Sequence, residues 1–311
     1  MAGTAPAQAA DAGDSCGRAT PIATGTTWTT ERLRNGDRDW LRFSLSTRRR
    51  VIITLGALPA NARLDLYRSC SSHLASSDRP DTGFEEVARM LRPGNYQIRV
   101  RPVGTWARSM AYRVRVRVPS RTVGVLSSSG WNEFPDQPRV AGEVLNNTGR
   151  AREDVRIRIR FYDAKDRLIH VGYTYARRER LGPGQRSMFV WANVTIPGYD
   201  HHRTTVVDAP LASLPPFAGL RVHRSGTTDL GFGVLGYDGT IENTTAYPVT
   251  LVRVMVTVYD GLGRVRNAEF APLADDDRLG PFESEPYEVV LNDRNTGDKV
   301  VTTVHGYKGP S

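Results

Sequence analysis

The stretch VRIRIRFYDAKDRLI, Val155–Ile169, alternates aliphatic residues with arginine, stops at Tyr-Asp, turns through polar residues and resumes at Leu168. A period of two puts Val155, Ile157 and Ile159 on one face and Arg156, Arg158 and Arg160 on the other, the pattern of a half-buried β-strand. The stretch LVRVMVTVYDGLGRV, Leu251–Val265, repeats it at an offset of 97 residues, keeping the aliphatic face and the Tyr-Asp turn but only Arg253 of the basic row. Two further anchors hold the same spacing. GEVLNNT from Gly142 matches GTIENTT from Gly239, and RLGP from Arg180 matches RLGP from Arg278, at offsets of 97 and 98. A constant offset over ordered anchors is the mark of a duplicated unit, here of roughly ninety residues.

The same alternation recurs upstream in DWLRFSL, RVIITLGAL, ARLDLY, YQIRVRP and YRVRVRV, each bounded by Gly, Pro, Asn or Asp. DTGFEEVARML, Asp81–Leu91, reads either as a helix or as a strand with Phe84, Val87 and Leu91 inward. The class expected is all-β: three tandem β-sandwich domains, a jelly-roll-like head followed by two repeated Ig-like sandwiches. The expected limits are a flexible leader at 1–19, the head at 20–119, the first repeat at 120–210, a Pro-rich linker at 211–220 and the second repeat at 221–311. In each repeat Asp163 or Asp260 is expected to cap the turn after Tyr by accepting backbone N–H bonds, with Asn146 and Asn243 doing similar work at a hairpin end.

Composition narrows the class further. The chain has 311 residues, 39% of them hydrophobic, and a net charge of +9. That charge is uneven: residues 1–120 carry +9, residues 121–220 carry +4 and residues 221–311 carry −4. Only 3 of the 42 basic residues are lysine, a bias that codon usage in a GC-rich genome explains without phosphate chemistry. No run approaches the length of apolar residues a membrane helix needs. MAGTAPAQAADAGDS at the start reads as a leader cut near an A-x-A site ending AQA. Cys16 and Cys70 are the only cysteines and are read as one disulfide tying the N-terminal segment down, which fits an oxidising compartment.

Two family resemblances follow from these motifs. The repeats resemble the bacterial FxLYD domain through G-x-(V/I)-x-N at Gly142–Asn146 and Gly239–Asn243, the (F/V)-Y-D ending and the later L-x-P turn. Phe161 and Val258 stand where the family has Leu. The resemblance covers about residues 121–310 and implies a small sandwich of exported or surface proteins with no catalytic residues. The head resembles the bacterial pre-peptidase C-terminal domain over about residues 20–119, through GDRDWLRFSL from Gly36, RLDLYRSC from Arg63 and LRPGNYQIRVRPVG from Leu91. That family implies a jelly-roll-like sandwich appended to secreted proteins. Some of its members bind Ca²⁺ near the N-terminal edge, which makes Asp37 and Asp39 the residues to watch.

Catalytic and metal motifs are sparse. GDSCG at Gly13–Gly17 is similar to the nucleophile motif of chymotrypsin-like proteases, but Ser15 precedes any folded scaffold that could bring His and Asp to it. His201 and His202, beside Asp200, are adjacent on a strand and so face opposite sides. Asp275, Asp276 and Asp277 lack the alternating spacing of a calcium loop. No phosphate loop or dinucleotide fingerprint is present, so no cofactor and no enzyme activity are expected. The arginine rows are candidate polyanion or partner contacts, with Arg99, Arg101, Arg113, Arg115 and Arg117 favoured by the basic head. Base-stacking aromatics do not alternate with them, which argues against nucleic acid.

The sequence therefore reads as an exported, secreted or surface-bound bacterial protein without catalysis, an interaction or structural component of an extracellular assembly that engages a protein partner or itself. The alternative is a module for carbohydrate or anionic cell-wall polymer, with Trp106 and Trp131 as candidate sugar-stacking rings.

Overall fold

A computed structural model describes residues 10–80, 83–105, 109–192, 194–273, 278–292 and 299–309. The fold is all-β: among the described residues the one helical element is the 3₁₀ turn Cys16–Arg18. No helix of the described residues is long and apolar enough to cross a membrane. Residues up to Pro119 form the bulk of one compact unit, and residues from Ser120 the bulk of another.

The first unit has ten strands: β1 (Ala10–Asp11), β2 (Thr20–Pro21), β3 (Thr29–Leu33), β4 (Asp39–Leu45), β5 (Arg49–Gly56), β6 (Ala62–Ser69), β7 (Ser72–Ser77), β8 (Glu85–Leu91), β9 (Gly94–Pro102) and β10 (Met110–Arg117). They form two five-stranded sheets, ordered β1-β3-β10-β5-β8 and β2-β4-β9-β6-β7. Alternate residues of both sheets build one core, with Ile53, Leu55 and Val114 facing Leu41, Leu64 and Ile98, all fully buried. The ambiguous Glu85–Leu91 stretch is a strand because Phe84, Val87 and Leu91 complete that core.

Residues 10–19 are not a free leader. β1 pairs in parallel with β3 in one sheet, β2 pairs in parallel with β4 in the other, and Cys16 is disulfide-bonded to Cys70. Ala12 and Ala19 are buried. The sequence pointed to a loose tail because its residues are small and polar, yet small residues are what lets a segment lie flat against a sheet.

The second unit holds both repeats. The first comprises β11 (Val123–Phe134), β12 (Gln137–Asn146), β13 (Arg152–Glu153), β14 (Arg156–Tyr162), β15 (Leu168–Tyr175), β16 (Arg180–Leu181), β17 (Arg186–Trp191) and β18 (His201–Asp208). The second comprises β19 (Leu220–Gly231), β20 (Val234–Asn243), β21 (Val249–Tyr259), β22 (Val265–Pro272), β23 (Ser284–Asn292) and β24 (Lys299–Lys308). The sheets correspond: β11-β12-β17 with β19-β20-β23, and β15-β14-β18 with β22-β21-β24. Ile157, Ile159 and Phe161 enter the first core as Val254, Val256 and Val258 enter the second. Gly142 and Gly239 sit where a Cβ would strike the ring of Phe189 or Tyr287, so the glycine lets the two strands close over an aromatic ring.

Each repeat is locked by one asparagine. Asn146 donates its amide to the carbonyls of Arg150 (2.9 Å) and Leu181 (2.6 Å) and accepts from the backbone N–H of Thr148 (3.0 Å). Asn243 donates to Tyr247 and Gly280 (both 2.7 Å) and accepts from Thr245 (3.0 Å). Both are fully buried, so these bonds join the hairpin end to the Leu-Gly-Pro turn without water. Asp163 accepts from the N–H groups of Lys165 and Arg167, and Asp260 accepts from that of Leu262.

The repeats pack on each other through unlike faces: β11, β12 and β17 of the first lie against β22 of the second. Across this contact Arg139 pairs with Glu269, Tyr259 donates to Glu143 (2.5 Å), and the Arg177 guanidinium lies 4.2 Å from the centre of the Phe270 ring. The joint between the repeats is partly ordered onto the first, since Leu211 bridges Arg152 and Ser213 donates to Glu153.

Asn146→Ala is expected to destabilise the second unit by about 2–3 kcal/mol in urea unfolding, because the buried Leu181 carbonyl and the part-buried Arg150 carbonyl lose their donor. Asn243→Ala should match it; a variant below half that cost would remove the locking role. The second unit should also weaken in acid. Burial, with Arg178, Arg180 and Arg253 nearby, holds His305 down to about 4, and burial holds His202 at about 4 as well. A histidine depressed when folded is protonated preferentially in the unfolded chain, so its stability is intact above about 6.5 and drains away as pH falls toward 4. His305→Phe is expected to flatten that decline by roughly 2–3 kcal/mol, read as unfolding midpoints at several pH values.

Candidate functional site

Among the described residues, four carboxylates gather at the N-terminal edge of the first unit. Asp11 ends β1, Asp14 precedes the 3₁₀ turn, Asp37 lies in the turn before β4, and Asp39 begins β4. Each offers one carboxylate oxygen, and the four oxygens lie within 4.8 Å of one another. Asp39 is fully buried. Its Oδ2 accepts the Tyr112 hydroxyl at 2.7 Å, while its Oδ1 has no hydrogen-bond partner. Burial, then Asp37, Asp11 and Glu31, push the Asp39 carboxyl up to about 8, against the opposing bond from Tyr112. Glu31 is itself raised by burial and by Asp11, and its Oε2 is likewise buried and unpartnered.

Local sequence explains why these groups meet. Gly13 is pressed so close to the chain that a Cβ would stand 2.0 Å from the Arg18 carbonyl oxygen. Its own N–H donates to Thr20 Oγ1 (3.0 Å) and its carbonyl accepts from Trp40 (2.8 Å). Ser15 caps the 3₁₀ turn through its carbonyl, which accepts from Arg18 at 2.9 Å. The disulfide at Cys16 holds the next residue. GDSCG thus works as an anchor that delivers Asp14, with the backbone carbonyl of its serine closing the turn. Asp37 is oriented by the N–H of Arg38 at 2.8 Å.

The donor set suits a hard cation. Oxygens on opposite sides of Ca²⁺, each about 2.3–2.6 Å from it, stand about 4.6–5.2 Å apart, whereas Mg²⁺ draws them to about 4.2 Å. Asp37 and Asp39 were legible as candidates. Asp11 and Asp14 were missed because their segment reads as a tail; the signal was GDSCG placed two residues after Asp11. Asp275, Asp276 and Asp277 lie outside the described residues, as does Trp106.

The candidate head arginines lie on two strands. Arg99 and Arg101 stand on β9 and Arg113, Arg115 and Arg117 on β10, in different sheets of the sandwich. Arg99 binds buried Asp65 at 2.8 Å, which Arg63 also binds at 2.8 Å, and it lies over Trp40 and Tyr67. Arg115 is buried against the Trp28 ring. Arg113 remains exposed.

His201 and His202 diverge. His201 lies between Asp200 (3.0 Å) and Asp166 (3.1 Å), stacked on Tyr162. His202 bonds Ser128 Oγ through Nε2 (3.0 Å) and the Tyr199 hydroxyl through Nδ1 (3.1 Å). Sequence reading missed this serine–histidine–tyrosine line. With His202 held near 4 it is a feeble base, and Ser128 also bonds Thr204 at 3.1 Å, so the line serves packing. Trp131 is half-buried in an open groove of about 610 Å³ between the tips of the β11–β12 and β19–β20 hairpins, where Phe134 and Phe232 are exposed.

No protein-family model matches the chain, and no curated protein matches it. Among solved structures, the pre-peptidase C-terminal domain of a collagenase from Bacillus anthracis aligns with 32% of this chain and 93% of that one, at 18% identity and a TM-score of 0.28. A β-glucuronidase from Bacteroides uniformis aligns with 80% of this chain and 26% of that one, at 10% identity and a TM-score of 0.36. Red sea bream transglutaminase aligns with 60% of this chain and 29% of that one, at 12% identity and a TM-score of 0.22. The match thus spans under a third of either enzyme's length.

Proposed function

We propose that the chain is an exported, non-catalytic interaction protein, a component or adaptor of an extracellular or cell-surface assembly, with a head clamped by Ca²⁺. Asp39 carries the reading: a buried carboxylate with one oxygen unpartnered, grouped with Asp11, Asp14 and Asp37. A cation held there would neutralise the group and fasten the N-terminal segment to the start of β4. The disulfide beside it and a calcium site of this open kind both suit an extracellular setting, where thiols stay oxidised and Ca²⁺ reaches about 10⁻³ M. On their motifs the head is read as pre-peptidase C-terminal-like and the repeats as FxLYD-like. The Ser128–His202 pair, which resembles catalytic machinery, is bonded into packing, which supports a role in contact rather than chemistry.

At about 1 mM Ca²⁺ the head is expected to unfold on the order of 5–10 °C higher than in chelator. Asp39→Asn should abolish that gain, and in chelator it should leave the head as stable or make it more so, because it relieves repulsion among the carboxylates. Equal melting of the wild type with and without Ca²⁺ would sink the metal and the argument for export that it supports.

The second reading, a carbohydrate- or wall-polymer-binding module, is favoured by the groove at Trp131, whose wall also carries Asn132 and Glu133. Rings beside amide and carboxylate groups are what sugar C–H faces and hydroxyls require. It predicts quenching or a shift of tryptophan fluorescence on titration with soluble wall oligosaccharides, lost in Trp131→Ala. A flat titration removes it.

A further inference from the structure

The two repeats share one contact and leave two faces over. Within the chain, the outward face of β11-β12-β17 meets β22 of the second repeat. The equivalents of these two faces, β19-β20-β23 and β15-β14-β18, stand at opposite ends of the pair. Their exposure separates them from their buried counterparts. Met255 and Ala268 are 1% and 0% exposed in the inner contact, whereas their equivalents, Arg158 and Val171, face outward on the open sheet. Tyr173, the counterpart of Phe270, is 46% exposed, and Tyr175 is 50% exposed. A face of tyrosine, arginine and aliphatic residues has the composition of a protein interface rather than of a solvated surface.

The charges of the two open faces are opposite. On β14, Arg158 and Arg160 have no carboxylate partner among the described residues, and Arg156 lies 4.2 Å from the centre of the Tyr173 ring. On the other open face Asp238 and Glu288 stand directly opposite each other on β20 and β23. Neither has an ion-pair partner among the described residues, and Val290 beside them is 44% exposed. Like charges placed opposite each other in a sheet destabilise it, so the pair is a cost that an incoming cation would relieve. Arg221 is the basic residue of that face and stands opposite Glu242, which already binds His223 at 3.0 Å.

We propose that the open β15-β14-β18 face docks the open β19-β20-β23 face of a second copy of this chain, repeating between chains the packing made within each. Arg158 and Arg160 meet Asp238 and Glu288, and the Tyr173–Tyr175 edge covers Val290. Because the two faces differ, the contact is heterologous and leaves a free face at each end, so assembly is open-ended. The proposal rests on the reading of the chain as an interaction protein, but not on the metal; the calcium experiment can succeed or fail without it.

Sedimentation velocity of the full chain in Ca²⁺ tests it, at about 50 mM and about 500 mM salt, since exposed charge pairs weaken once the Debye length shrinks. The wild type is expected to grow in mass with concentration at low salt and to dissociate at high salt. Arg158→Glu/Arg160→Glu and Asp238→Lys/Glu288→Lys should each be monomeric alone. Mixed, they should regain growth as an alternating assembly, since the two reversed faces complement each other and the two unchanged faces still match. Arg42→Glu/Arg92→Glu, which changes the net charge by the same amount on exposed residues of the head, should assemble as the wild type does. A monomeric wild type at about 100 µM, a Kd too weak for a working assembly, overturns the proposal. So does either reversed variant assembling normally alone, or a mixture that stays monomeric. Loss of dextran sulfate binding in the arginine variant, with a wild type that never self-associates, would assign the face to an anionic polymer instead.

Discussion

The constraint on which the second unit depends is the period of two in its central strands. Every second side chain of β14 and β21 must fill a core, and Ile157, Ile159 and Phe161 do so as Val254, Val256 and Val258 do. That requirement fixes half the residues and leaves the rest to whatever the outer face meets. In β14 that face is open, and it carries arginine. Along 254–259 of β21 it is covered by the first repeat, so Met255, Thr257 and Tyr259 are buried opposite the core residues. The basic row was therefore not lost at random in the second copy: an unpaired guanidinium in that contact would carry a desolvation cost of several kcal/mol. Where arginine persists there, as Arg253, it lies over the Phe270 ring.

The head answers to a different constraint. Its sandwich could close without residues 10–21, since those residues add only the marginal strands β1 and β2. What they bring is charge: Asp11 and Asp14 arrive beside a carboxylate already buried at Asp39. Two devices oppose the resulting repulsion. The disulfide closes a loop of 54 residues and so limits how far the segment can stray when the head opens. The Tyr112 hydroxyl satisfies one oxygen of Asp39. Neither supplies positive charge, which is why the cluster is the part of the head whose behaviour depends on the medium.

Much of this was legible in the residues, and for a physical reason. Alternation reports burial directly, so the all-β class and the duplicated anchors could be read from Val155–Ile169 and its echo. Asn146 and Asp163 were readable as turn residues because their side chains bond within a few positions of their own backbone. Partners far apart in sequence were not readable. Asp11 and Asp39 come together through a parallel pairing of two-residue strands, which leaves no periodic trace. Alternation says which residues share a strand face but not which strands share a sheet, so the placing of Arg99 and Arg101 in one sheet and Arg113, Arg115 and Arg117 in the other was not readable. Nor could Ser128 be linked to His202, which it meets across two sheets.

The contact between the repeats has a consequence for how such a chain can be lengthened. Its two sides are unlike, one following the pattern at 139–143 and the other the pattern at 253–259, so the pair has a direction. A repeat inserted between the existing two would have to present the second pattern upstream and the first downstream, each with its companion glycine and asparagine. A copy of the first repeat placed there would bury Arg158 and Arg160 against Glu143 and Met188. A copy of the second would bury Asp238 opposite Glu288 in its own outer face. The two halves are thus no longer interchangeable parts, and a longer array needs a middle unit of a third kind.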